Sequence, residues 1–163
     1  MELEKAKQIA AQVVEKLHPY CERITVAGSI RRQKPFVHDI DLVVIPNSPG
    51  QFIAALQSLG AITMGGSKLI RCQHPEIMLD VYIAEPSTWA TLLLIRTGSA
   101  KHNIMLCSKA KVQGMKLHAD GSGLFKVETC ATGTPREDRI AGDTEQSIFE
   151  ALGIPYKEPA LRD

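Results

Sequence analysis

Val26-Ala27-Gly28-Ser29-Ile30-Arg31-Arg32-Gln33-Lys34, continued at His38-Asp39-Ile40-Asp41-Leu42-Val43-Val44-Ile45, is the stretch that decides the fold. The β-branched residues of 23–27 predict a short strand that runs into Gly28-Ser29. Pro35 breaks any helix after the basic run, and residues 39–45 predict a second strand. Side chains alternate across a strand, so Asp39 and Asp41 share one face, with Cα atoms about 7 Å apart. Ile40 and Leu42 take the other face and the core. Two neighbouring like charges must be solvated, paired or bound to metal, and a magnesium pair about 3.5–4 Å apart suits such carboxylates. Gly28 allows a tight turn with close backbone approach. Ser29 offers a hydroxyl and an N–H to a phosphate, and Arg31 and Arg32 offer charge-assisted contacts.

Asp80 interrupts a further apolar strand, predicted over 77–83, and is the third acid able to face the same cleft. The plain alternative for each acid is solvation at a strand end or sheet edge, and a lone D-x-D favours it. Gly-Ser, a basic patch and three acids together favour metal-dependent phosphoryl transfer.

Outward from this centre, residues 3–17 carry apolar positions at three- and four-residue spacing and predict a helix stopped by Pro19. Further helices are predicted over 52–59, 88–96, 99–113 and 144–152, and another strand over 68–73. Turn-rich short strands follow Gly114. The order is α+β: a small mixed sheet with helices on one side, over 1–85, then a helical and hairpin subdomain over 86–163.

A chain of 163 residues fits one ordinary domain or a domain with a small appendage, and can fold without staples. Cys21, Cys72, Cys107 and Cys130 are scattered without a C-x-x-C pair, which argues against a zinc site and for free thiols. No apolar run nears the roughly 20 residues of a bilayer span, and the start is unlike a signal peptide, so a cytoplasmic protein is expected. The formal charge is only +1, yet residues 96–127 hold six basic side chains against Asp120 alone. That segment reads equally well as a phosphate-binding face or as a solvated helix face.

The run from Val26 to Lys34, with His38 to Val43, resembles the palm signature of family X DNA polymerases, the group of DNA polymerase beta. Leu79-Asp80-Val81-Tyr82 resembles the strand bearing that family's third carboxylate. Thr97-Gly98-Ser99 with His102-Asn103-Ile104 resembles its nucleotide-binding turn and helix. Thr144 to Tyr156 is similar to its C-terminal thumb motif. The resemblance implies a nucleotidyltransferase palm over 1–85 and a thumb over 86–163. It implies a template-directed DNA polymerase that extends a primer 3′-hydroxyl, filling short gaps in repair. Asp39 and Asp41 would bind two Mg²⁺, for which Mn²⁺ would substitute, and Asp80 would bind the catalytic one. Gly28, Ser29 and Arg32 would hold the triphosphate of a nucleoside triphosphate. Gly98 would pack against the incoming sugar, and Asn103 would reach the base. The other partner implied is primer–template or gapped DNA.

Three positions depart from the family pattern. Ile95 and Arg96 stand where aromatic, or small and aromatic, residues usually precede Thr-Gly, which predicts relaxed sugar discrimination. Cys107 replaces a basic residue one helical turn beyond the Asn. Nothing before residue 1 forms fingers or a lyase domain, as expected of a minimal palm–thumb enzyme or of a piece of a longer chain. The rival readings are a transferase acting on RNA, protein or a small molecule, and a catalytically silent nucleic-acid-binding module. His102 and Lys101 are candidates for phosphate contact. Trp89 is expected in the core, and His18, His74 and His118 at turns or the surface.

Overall fold

Helix α1, Leu3–Leu17, is one-sided because its apolar residues recur each turn, and Ala6, Ile9, Ala10, Val13 and Leu17 are all buried. It packs on a five-stranded mixed sheet in a computed structural model that describes residues 1–163. The strands are β1 (Cys21–Val26), β2 (Asp39–Pro46), β3 (Ala61–Gly65), β4 (Leu69–Gln73) and β5 (Met78–Ile83), in the order β1-β2-β5-β4-β3. Only β2 and β5 run parallel. Helix α2, Gly28–Arg31, is a single turn after β1, where the sequence predicts an open turn. Helix α3, Pro49–Gln57, starts earlier than its apolar residues suggest. Proline costs nothing at the first helical position, where the N–H has no intrahelical partner. Phe52 and Leu56 of α3 join α1 and Ile40, Leu42, Val44, Ile70, Cys72, Leu79 and Val81 of the sheet in one core.

Strand β3 carries no signal of its own in the sequence. It is a mostly exposed edge strand, so no alternation of apolar and polar residues marks it. Its backbone bonds to β4, from Ala61 opposite Gln73 to Gly65 opposite Ile70, are what make it a strand.

The chain divides into two compact units, Met1–Glu85 and Pro86–Asp163. The second contains α4 (Trp89–Thr97), α5 (Ala100–Val112), an antiparallel sheet of β6 (Met115–His118), β7 (Gly123–Thr129) and β8 (Pro135–Ala141), and α6 (Glu145–Ala151). Leu94, Ile95, Leu106, Ala110, Leu117, Leu124, Ile148, Phe149 and Leu152 form its core, and Trp89 is buried. Thr144 caps α6 by accepting from Ser147 N–H at 3.0 Å, and the Ser147 hydroxyl completes the reciprocal box. Arg162, with 0% exposure, is held by Glu145 at 2.6 Å, Tyr156 Oη at 3.1 Å and the Lys157 carbonyl at 2.9 Å.

All four cysteines are free, Cys21 and Cys72 buried and Cys107 and Cys130 exposed. No helix is long and apolar enough to cross a membrane.

Candidate active site

The parallel pairing of β2 with β5 sets Asp41 directly opposite Asp80 and Asp39 opposite Met78. Residues in register project to the same side, and the intervening Ile40, Leu42, Leu79 and Val81 are buried in the core. The acids therefore lie on the face opposite that core. On the far side of β5, antiparallel β4 places Arg71 opposite Asp80. One ladder thus runs Asp41, Asp80, Arg71 across three strands.

Asp80 is only 4% exposed. Arg71 Nε donates to its Oδ1 at 2.6 Å and Nη2 to its Oδ2 at 3.0 Å. The hydrogen bond and then the charge of Asp80 raise the Arg71 pKa above its ordinary value, and Asp39 adds to that field. No three His, Cys, Asp or Glu side chains converge as a metal-ligating group, and Asp80 gives both oxygens to Arg71.

Ala27 N–H donates to the Asp41 carbonyl at 2.8 Å and brings α2 down beside the acids. Gly28 has φ +58°, and a Cβ on it would overlap Asp41 Oδ2. Glycine is required there twice over, by conformation and by space. The Ser29 hydroxyl is buried and has no partner. A buried hydroxyl without a hydrogen bond is costly, and a phosphate oxygen would satisfy it. Arg32, half-buried, closes α2 with its N–H on the Gly28 carbonyl at 3.1 Å. The hard carboxylate oxygens and the unpaired Ser29 hydroxyl beside them suit a magnesium-bound triphosphate in kind.

In the second unit, Thr97 is buried and Gly98 has φ +70°. Ser99 Oγ caps α5 by accepting from His102 N–H at 3.1 Å, and Ser99 N–H donates to the Arg162 carbonyl at 3.2 Å. Asn103 donates Nδ2 to the Ile95 carbonyl at 2.8 Å, while its Oδ1 is buried without a partner. Two expectations need correction. Ile95 belongs to the hydrophobic core, so its side chain is not a wall beside a sugar. His102 is 1% exposed, against Phe149 at 5.9 Å between ring centres, and cannot meet a phosphate from there. Burial, then the charge of Arg162, lowers its pKa from 6.5 to about 4. Lys101, its neighbour, is exposed.

His18 and His38 are exposed, and His74 and His118 are half-buried. His118 pairs with Glu137 at 2.9 Å. The sequence reading missed Arg71. Alternation in β4 puts it on the face opposite Ile70 and Cys72, which is a signal, but only the register reveals that Asp80 is its neighbour.

Residues 92–163 match the profile of the DNA polymerase beta thumb. DNA polymerase lambda of Rattus norvegicus is 29% identical over 160 residues, covering 83% of this chain and 28% of that protein. The DNA polymerase/3′-5′ exonuclease PolX of Bacillus subtilis is 26% identical over 166 residues, covering 97% of this chain and 28% of that protein. The chain thus spans little more than a quarter of the length of these relatives. The crystal structure of Leishmania infantum polymerase beta in a ternary P/T complex matches with a TM-score of 0.78 and 22% identity, over 100% of this chain and 76% of that one. A polymerase-type palm followed by a thumb is the class that this fold defines. Residues 92–163 carry the polymerase beta thumb, and along its length the chain resembles DNA polymerases of family X.

Proposed function

We propose that the protein is a template-directed DNA polymerase that adds nucleotides to a primer 3′-hydroxyl, acting on short gaps. The observation that carries this reading is the ladder of Asp41 beside Asp80, with Asp39 on the same face, in a chain whose second half matches a polymerase thumb. In the reaction the 3′-oxygen attacks the α-phosphorus of a nucleoside triphosphate. The new P–O bond forms as the bond to pyrophosphate breaks, and the hydroxyl loses its proton. Two magnesium ions, held by Asp39, Asp41 and Asp80, would lower the barrier by stabilising charge on the attacking and leaving oxygens. Asp80 would orient the 3′-hydroxyl and receive its proton, a role that its register with Asp41 supports. Gly28, Ser29 and Arg32 hold the triphosphate, the Ser29 hydroxyl gaining the partner it lacks. Gly98 and Asn103 take the sugar and base roles that the family resemblance assigns. Asn103 Nδ2 stays on Ile95, and its unpaired Oδ1 is the atom left for a ligand.

Primer extension with and without template tests this reading, using the wild type and Asp41→Asn. Template-matched extension that is lost in the variant is the expected result. Untemplated addition to RNA, protein or a small molecule would make it a transferase of another substrate class. Nucleic-acid binding without any incorporation would make it a silent module.

A further inference from the structure

We propose that Arg71 is a positioning residue for phosphoryl transfer: it fixes the Asp80 carboxylate by two points from the neighbouring strand, and its charge opposes metal binding on the acid face. The inference rests on the two-metal reading above. A carboxylate with 4% exposure must be paired or pay for its lost hydration. Two residues either side of Asp80 on β5 stand Met78 and Tyr82, neither of which can supply positive charge. The cation comes from β4 instead, and register places it directly opposite.

Contact at both carboxylate oxygens, 2.6 and 3.0 Å, sets the plane of the carboxylate as well as its place. A lysine ammonium at this site would supply the charge without the fork. Each carboxylate oxygen that accepts one N–H keeps a second lone pair. Asp80 can therefore stay on Arg71 while an oxygen turns to the metal or to the 3′-hydroxyl. The guanidinium side chain is 40% exposed, so it sits at the solvent margin of the acid face.

Charge and fork have separable consequences. Arg71→Gln removes a positive charge beside the metal ligands, and Mn²⁺ should bind about fivefold tighter in the absence of DNA. Arg71→Lys keeps the charge, and its Mn²⁺ affinity should stay within about twofold of wild type. Both variants lose the fork. Single-turnover primer extension should slow by about tenfold or more, with the nucleotide KM changed less than about threefold. That split is the signature of an interaction made in the transition state.

The test is titration of free Mn²⁺ by electron paramagnetic resonance on the full chain, followed by extension kinetics. A purely structural ion pair would lower stability and leave Mn²⁺ affinity unmoved, and that result overturns the proposal. So does a wild-type rate in Arg71→Lys. Should Arg71→Gln not fold, the comparison of R71Q/D80N with Asp80→Asn repeats the metal measurement with the buried acid neutralised. Asp41→Asn is the control for the underlying reading. If it leaves Mn²⁺ binding intact, the two-metal reading falls and Arg71's role falls with it. If it abolishes binding while Arg71→Gln changes nothing, Arg71 alone is misassigned.

Discussion

Gly28 is the residue whose replacement tests the site's geometry most sharply. Its φ of +58° is strained for any side chain, and a Cβ would collide with the Asp41 carboxylate. Gly28→Ala should cost about 1–3 kcal/mol in urea unfolding, and the displaced Asp41 should lower extension towards the level of Asp41→Asn. His102 makes a separate prediction about pH. Its folded pKa of about 4 lies below the 6.5 of the exposed group. Between those values the unfolded chain binds a proton that the folded one refuses. Stability therefore falls as pH drops through that window, by up to about 3 kcal/mol from this residue, and is unaffected by it above 6.5. Unfolding midpoints from pH 7 to 4 should fall less steeply in His102→Leu than in wild type. Equal slopes would show that His102 titrates normally. Ile95 reverses an expectation drawn from the sequence. Restoring a tyrosine there should overpack the core and cost about 1–3 kcal/mol by denaturant unfolding, before any effect on sugar choice.

Among the elements, the one with most riding on a single contact is the C-terminal segment of the second unit. Arg162 is wholly buried and lies 5.5 Å from the Phe149 ring centre and 5.4 Å from that of Tyr156, with its charge met by Glu145. Its carbonyl accepts from Ser99 N–H, which ties the segment to the start of α5. Removing one partner strands the other's charge. Arg162→Met should therefore cost about 3–5 kcal/mol by denaturant unfolding, and adding Glu145→Gln should recover part of the loss. No recovery in the double variant would mean that Arg162 matters through packing and not charge. Helix α5 illustrates a milder point. Leu106 and Ala110 face the core, while Ile104 and Val112 are 67% and 87% exposed, so its apolar residues lie on two sides and its stripe is poorly marked. Its boundaries were nonetheless readable, because Ser99 and Gly114 punctuate it.

For the whole molecule, DNA affinity should depend on salt through a small set of cations. Lys101, Lys109 and Lys111 on α5 and Lys116 on β6 are exposed, whereas Lys126 is engaged by Glu128 at 3.0 Å. Six basic residues in 96–127 limit the slope of log affinity against log salt to about 5. Replacing Lys109 and Lys111 with alanine should lower it by up to about 2. A titration over low to moderate salt that gave a much steeper slope would point to a second binding surface.

What the sequence determined by itself were properties held in short range. Alternation in 39–45 placed Asp39 and Asp41 on one face, because strand side chains have period two. The spacing of Ile9, Val13 and Leu17 made α1, and Gly28 marked a backbone that only glycine adopts without strain. Tertiary structure decided what depends on register between distant segments. The parallel pairing of β2 with β5 brought Asp80 level with Asp41, and the antiparallel return of β4 put Arg71 on Asp80. An edge strand such as β3, formed by backbone hydrogen bonds and exposed along most of its length, leaves no side-chain pattern to read. Burial of His102, Ile95 and Arg162 belongs to the same class. Each sits among residues spoken for by the core or by buried charge, and only packing from several elements at once could say which side chains would be shut away from a substrate.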